Sequence, residues 1–396
     1  MLSMEKMEYA TLLDKVYEAY YECRRNKRRK YSAVFFEWNY EVEIGRLTRE
    51  LYDKTYRPTT SIVFSVTKPK HREIFAANFR DRVVHHLLMQ RFGDMIDKEM
   101  IDDSYNCRKG KGVFYGQKRL AEEIRRVSDD YRRKAYVLCG DIEGFFMSID
   151  VDRLWQMIET LVRDKDRGED IEWWLWLFKV VVMHRPETDC EVHGSKKILD
   201  ALPDNKTLMR SNGYGMPIGN YYVQILGNYY LTPFDLLMKA IAGRDGFYCR
   251  FVDDFRMVRT DVETLWYASN EGRRFLWDDL HLRMHRTKFS ITEVHKGVKF
   301  IGCLIMPWGV YTSNRVIGNA LDAFKREDRT LEETVASLNS YMGFLIHSKT
   351  YAIRWRLYKS LPDDVRKRVV CVNMRKFVLR DGLDNIHEAA CLSQNG

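Results

Sequence analysis

The chain has 396 residues, 45% hydrophobic and 31% charged, with 65 Lys and Arg against 56 Asp and Glu for a formal charge of +9. This composition excludes a disordered tail, a collagenous chain and a membrane-embedded protein, and the length suits two or three domains or subdomains of ~100–200 residues. The charge is uneven: counting Asp, Glu, Lys and Arg, residues 1–130 sum to +5, residues 131–302 to 0 and residues 303–396 to +4.

The first predicted element is a helix over YATLLDKVYEAYYEC, whose apolar residues recur at helical spacing. It runs into Arg24–Lys30 (RRNKRRK), six of whose seven residues are basic. Such a run suits either a solvated face or phosphate contact. Residues 33–53 read as helix, Thr59–Thr67 as a strand rich in β-branched residues, and 79–100 as an amphipathic helix. On that last helix His85 and His86 are expected to be packed or capping rather than metal-binding. Residues 105–116 (YNCRKGKGVFYG) read as a Gly/Lys loop that lacks the GK[ST] ending of a Walker A loop.

A short apolar strand follows at Ala135–Cys139, then Trp-rich helix over 151–183, a long polar connection over 184–214, and helix again over 220–238. Tyr248–Val258 (YCRFVDDFRMV) reads as a hairpin around an acidic turn. A helix over 262–283, a hairpin over 288–305 and a mainly helical, basic segment from about 312 complete the chain. No two of the eight cysteines lie within four residues, so zinc-ribbon spacing is absent and reduced thiols are expected. The N-terminal stretch has no signal-like apolar core, and Trp173–Met183 is too short and interrupted to span a bilayer. A cytoplasmic location without a membrane partner is expected.

Of five Asp-Asp pairs, four sit by turns or on mixed helical surface. Asp253-Asp254 differs, because Phe251-Val252 precede it and Phe255, Met257 and Val258 follow. Adjacent carboxylates at the tip of an apolar hairpin repel unless something cationic binds there. Asp141 directly follows the apolar run Ala135–Cys139 and Gly140. Brought together, these carboxylates suit two hard divalent cations, the usual clamp for phosphoryl or nucleotidyl transfer.

These residues resemble the reverse transcriptase family. Phe251-Val252-Asp253-Asp254 is similar to its [YF]xDD box, and Asp141–Asp150 (DIEGFFMSID) to its first palm motif. Gly215-Met216-Pro217-Ile218-Gly219-Asn220, with Gln224, resembles the G-x-P-x-G template and nucleotide loop. Lys68–Ile74, Phe79–His86 and Ser104–Gly112 resemble fingers motifs; Arg286–Lys288 and Phe300–Gly302 resemble the motifs that close the palm. The resemblance covers roughly residues 20–360, with these motifs in the family's order. Within the family, IGN at 218–220, REIFAANFRDRVVHH and SYMGFLIHSKTY are most similar to the enzymes of diversity-generating retroelements, although Val223 stands where their pattern has Ser.

The resemblance implies an α+β right-hand polymerase with an antiparallel-sheet palm. Fingers and an N-terminal extension would occupy 1–130, palm 131–302 and a helical thumb 303–396. It implies an RNA-directed DNA polymerase copying template RNA into cDNA with two Mg²⁺ ions, Mn²⁺ being a substitute. The metal-site residues would be Asp141, Ile142, Asp253 and Asp254, with Lys288 as general acid on pyrophosphate. Arg72 and Lys70 would clamp the triphosphate, Phe146 would exclude a ribose 2′-OH, and Gly215, Pro217, Ile218, Gly219 and Gln224 would line the template and nucleotide. Partners would be template RNA, the RNA/cDNA duplex, dNTPs and a small basic ring-forming accessory protein. The alternatives are an antiphage-defence or other retron- or intron-like reverse transcriptase, and an inactive RNA-binding scaffold. Against the scaffold stands the trio of carboxylates, expected to be buried and unpaired.

Overall fold

A computed structural model of the protein describes residues 7–25, 31–67, 70–168 and 170–380, and four of its helices start where a side-chain oxygen satisfies a free N–H group. The Asn78 amide oxygen accepts from the Arg80 N–H at 3.2 Å, Asp150 from Arg153 at 3.0 Å and Asp261 from Thr264 at 2.9 Å. Thr330 and Glu333 form a reciprocal capping box.

In chain order, α1 (Tyr9–Cys23), α2 (Tyr31–Trp38) and α3 (Tyr40–Tyr52) precede β1 (Ser61–Val66) and β2 (Arg72–Ala76). Then come α4 (Phe79–Glu99), α5 (Val113–Val127), β3 (Tyr136–Glu143), α6 (Phe145–Ser148), α7 (Val151–Lys165) and α8 (Ile171–Val182). The middle continues with β4 (Cys190–Val192), α9 (Lys196–Asp200), α10 (Tyr221–Tyr230), α11 (Thr232–Ala242), β5 (Phe247–Phe251), β6 (Asp254–Arg259) and α12 (Val262–Asp278). After them lie β7 (Arg283–Met284), β8 (Ser290–Glu293), β9 (Val298–Phe300), β10 (Cys303–Met306) and β11 (Gly309–Thr312). The last described elements are α13 (Asn314–Phe324), α14 (Leu331–Leu345), α15 (Tyr351–Lys359), α16 (Asp363–Arg368), β12 (Val369–Val372) and β13 (Lys376–Leu379).

The chain is therefore mixed helix and strand with small, mostly antiparallel sheets. It divides into two compact units. One comprises residues up to Gly112 plus Leu138–Ile291; the other comprises Val113–Val137 plus the chain from Thr292.

In the first unit β1 pairs antiparallel with β2 and parallel with β4, while β5, β6, β3 and β7 neighbour one another in that order in a second sheet. Its helical layer packs α1 and α10 against α4, which buries Val83, Val84, Leu87, Leu88 and Phe92. His85 and His86 lie in that layer against Tyr222 and Tyr221, with ring centroids 4.6 and 5.1 Å apart, as packed histidines. In the second unit β9, β10 and β11 form a meander. Ala320, Phe324, Leu338, Met342, Leu357 and Phe377 build a separate core.

Several elements differ from the sequence reading. The helix expected over 33–53 is broken at Asn39, and the one expected over 262–283 ends at Asp278, where β7 soon begins. The Gly/Lys loop ends at Val113, because the apolar stripe of α5 starts there. The strand expected at 135–139 continues to Glu143, so Asp141 lies inside it. The connection over 184–214 contains β4 and α9, since Cys190–Val192 add in parallel to β1. The hairpin expected over 288–305 is instead β8, β9 and β10. The C-terminal segment carries a hairpin, β12–β13, formed by the β-branched run Val369-Val370-Cys371-Val372. Most of the basic run Arg24–Lys30 and Lys68-Pro69 lie outside the described residues.

Candidate active site

The β5–β6 hairpin carries the acidic turn. Its tip is held from below by Arg250, a fully buried guanidinium on β5. Nε and Nη2 donate to the two oxygens of buried Asp235 on α11, at 2.7 and 2.6 Å. Nη1 donates to the Asn228 side chain at 3.2 Å and to the Val252 carbonyl at 2.7 Å. Val252 has φ +59°, unusual for a β-branched residue. Arg250 therefore anchors a left-handed turn that presents Asp253 and Asp254.

Beside this hairpin runs β3. Phe255 lies flat against Gly140, where a Cβ would stand 2.1 Å from its ring, so only glycine fits before Asp141. The Ile142 N–H donates to the Asp253 carbonyl at 3.0 Å, joining the two acidic segments. Ile142 has a hydrocarbon side chain, here buried, so only its backbone carbonyl can offer an oxygen. On the other side β7 pairs Met284 with Ile142, and the His285 N–H donates to the Asp141 carbonyl at 2.7 Å.

Electrostatically the three carboxylates differ. Burial, then the like charges of Asp141 and Asp254, push the Asp253 carboxyl up to about 6, against its own backbone N–H and the charge of Lys70. Burial also raises Asp254, opposed by Arg256, whose Nη2 lies 3.3 Å from it. Asp141 receives the Lys288 ammonium at 2.6 Å. The expectation of unpaired carboxylates is thus corrected for two of the three. The cause is placement: Arg256 lies two residues along β6 from Asp254, and the segment after β7 brings Lys288 over Asp141.

This donor set fits a hard cation. Mg²⁺ is held by one or two carboxylates together with substrate phosphates, and Asp253 experiences a local excess of negative charge. Among the described residues no group of three or more His, Cys, Asp or Glu side chains is disposed to hold an ion. Asp253 is the one of the three without an ion-pair partner, Asp141 being met by Lys288 and Asp254 by Arg256, so a cation at Asp141 and Asp253 would take the place of the Lys288 ammonium.

The remaining residues form a second cluster. Phe145 and Phe146 lie on the short α6. Phe145 is buried and Phe146 half-buried, with ring centroids 4.9 Å apart. The glycine loop is stitched to α6, for the Met216 N–H donates to the Phe146 carbonyl and the Gly215 N–H to Ile149, both at 2.8 Å. At φ +88° a Cβ on Gly215 would meet the Met147 backbone at 2.9 Å. Pro217 is buried, and the Ile218 carbonyl accepts from the Phe75 N–H on β2 at 2.7 Å. Gly219, at φ +127°, passes so close to β2 that a Cβ would meet the Phe75 carbonyl oxygen at 2.5 Å. The loop therefore ties α6 to β2.

Lys70 and Arg72, just before and at the start of β2, are exposed. Lys70 is the one whose charge acts on Asp253. Gln224 is engaged elsewhere, its side-chain oxygen accepting from Asn106 at 3.1 Å. Sequence reasoning missed Arg250, Asp235 and Glu73. Glu73 is a buried carboxylate on β2, raised by burial, that accepts from the Thr207 hydroxyl at 2.7 Å and the Leu208 N–H at 2.6 Å. The available signal was a charged residue in an otherwise apolar strand, Arg250 between Cys249 and Phe251.

A scan of the sequence against protein-family models finds no match, and a search among curated protein sequences finds none either.

Proposed function

We propose that the protein is an RNA-directed DNA polymerase, with a right-hand fingers, palm and thumb organisation, that copies a template RNA into cDNA. The observation that supports this most is the joining of Asp141 to Asp253 by the Ile142 N–H bond to the Asp253 carbonyl. A divalent cation there would activate a primer hydroxyl and stabilise the leaving pyrophosphate. The chain's own groups do the rest. Lys70 brings positive charge to the acidic turn, Phe146 offers a ring edge to a sugar, and Lys288 holds an ammonium proton at Asp141 that could pass to a leaving oxygen. The motif pattern within the family favours the mutagenic enzyme of a diversity-generating retroelement, with a basic ring-forming accessory protein as partner.

One observation favours a second reading. Lys288 and Arg256 already neutralise two carboxylates, as in a protein that binds RNA without chemistry. Primer extension separates the two. With Mg²⁺, dNTPs and a primed RNA template, the purified protein should extend the primer and Asp253→Asn should not. Undiminished extension by that variant, or RNA binding without incorporation on several templates in Mg²⁺ and Mn²⁺, would refute the polymerase reading.

A further inference from the structure

An open cavity of about 630 Å³ lies between α12 and β7, lined among others by Glu143, Arg273, Trp277, Arg283 and Arg286. Three arginines line it. Arg274, Arg259, Arg256 and Arg163 each sit against a carboxylate. Among the described residues Arg273, Arg283 and Arg286 have no carboxylate partner. The one acid lining the cavity, Glu143, accepts from the Asn205 amide at 3.1 Å.

Two of the guanidiniums lie over aromatic rings instead. Arg283 is 4.7 Å from the Trp277 centroid and Arg273 is 4.9 Å from that of Phe289. Trp266 continues the row, 5.8 Å from Phe289. Trp266, Arg273 and Trp277 are spaced at i, i+7 and i+11 on α12, hence along one face. They span ~16 Å of helix axis. Trp266 and Trp277 remain about half exposed, at 51% and 53%. A surface arginine alone is ordinarily just solvated, and an exposed tryptophan alone is unremarkable. Unpaired guanidiniums and aromatic rings, in a concavity and along the helix face beside it, combine a track for phosphates with faces for bases.

We infer that the α12–β7 face is a binding site for single-stranded nucleic acid, gripped through its backbone and base faces without regard to sequence. The length of the row favours a strand over a mononucleotide, and the strand is RNA or DNA by the same chemistry. This assignment does not rest on the polymerase reading. The site would operate in a protein whose aspartates do nothing.

The test uses the full chain in EDTA with fluorescein-labelled twelve-residue oligouridylate and oligothymidylate, read by anisotropy at several salt concentrations. Trp277→Ala and Arg283→Ala should each weaken binding about 10- to 100-fold, the usual worth of a stacked base. Trp277→Phe should recover most of the loss. Arg274→Ala removes the same charge from the same helix outside the row and should change affinity less than twofold. Thio-substituted oligomers should crosslink to peptides containing Trp277 or Phe289, and the tighter of the two oligomers identifies the strand. Equal losses for Arg274→Ala and Arg283→Ala would overturn the inference, as would crosslinks confined to other segments. Displacement of the oligomer by UMP at equal nucleotide concentration would overturn the assignment to a strand.

Discussion

Arg250 Nη1 donates to the carbonyl of Val252 at 2.7 Å, so a guanidinium with no exposure to solvent fixes the conformation of a turn whose next two residues are acidic. Two demands meet in this one side chain. It neutralises Asp235, and it stabilises a backbone geometry that a β-branched residue would otherwise avoid. Arg250→Met should leave Asp235 as an uncompensated buried charge and cost ~3–5 kcal/mol. Arg250→Met with Asp235→Leu should recover much of that stability in chemical denaturation while nucleotide incorporation stays low, because the Val252 carbonyl still lacks its donor. Full recovery of incorporation in the double variant would mean the turn needs no anchor.

The acidic turn carries a stability cost of its own. Burial and two neighbouring carboxylates disfavour ionised Asp253. In the presence of chelator, Asp253→Asn should therefore raise the melting temperature while abolishing primer extension. A variant that loses both stability and activity would place Asp253 among structural residues instead.

Phe146 and Gly227 fit each other. A Cβ at Gly227 would stand 2.8 Å from the Phe146 ring. Gly227→Ala should push that ring aside and depress dNTP incorporation, and adding Phe146→Leu should restore part of it. Phe146→Ala alone should increase ribonucleotide incorporation relative to deoxynucleotide by about tenfold or more. An unchanged ratio, in single-turnover assays, would remove Phe146 from sugar selection.

Asp261 provides a pH signature remote from the acidic turn. Burial acts to raise its carboxyl, but the Thr264 hydroxyl and N–H and the Arg259 guanidinium outweigh it and hold the group at about 2. Because the folded value lies below the unfolded one, the contribution is present above pH ~4 and lost as pH falls toward 2. With the carboxylate about a third exposed, solvent screening limits it to ~1 kcal/mol. Asp261→Asn keeps a capping oxygen without the charge. Its deficit relative to wild type should shrink by about half between pH 5 and pH 3 in urea titrations. A deficit independent of pH would assign the effect to the cap alone.

The elements that sequence periodicity made legible are those whose partners lie nearby in the chain. The β5–β6 hairpin is one, since its two apolar runs flank a two-residue turn. The isolated character of Asp253-Asp254 follows from the same local pattern. What escaped depends on distant partners. Leu199, Leu202 and Leu208 sit in a polar stretch that reads as loop, yet they pack with Val63, Phe75 and Met147 into one cluster. Glu73 reads as an ordinary surface acid until Thr207 and Leu208 arrive to receive it. Asp235 escaped for another reason: its partner Arg250 is only 15 positions on, but no periodicity ties a carboxylate on α11 to a guanidinium on β5. No local pattern distinguishes a carboxylate that will be solvated from one that will be enclosed by residues more than 100 positions away.

The division of the chain also has a bearing on its synthesis. Helix α5 leaves the ribosome long before its companions: Gln117 donates to the Ile301 carbonyl at 2.8 Å, and Leu120 and Ile124 are buried in a unit whose other members begin at Thr292. For some 160 residues of elongation, the apolar stripe of α5 has no native cover while the segments around it are already folding. A nascent chain stalled near residue 290 would display that stripe to chaperones. Expressing residues 292–380 alone would deprive the second unit of α5, so a soluble fragment of that unit requires residues 113–137 to be supplied with it.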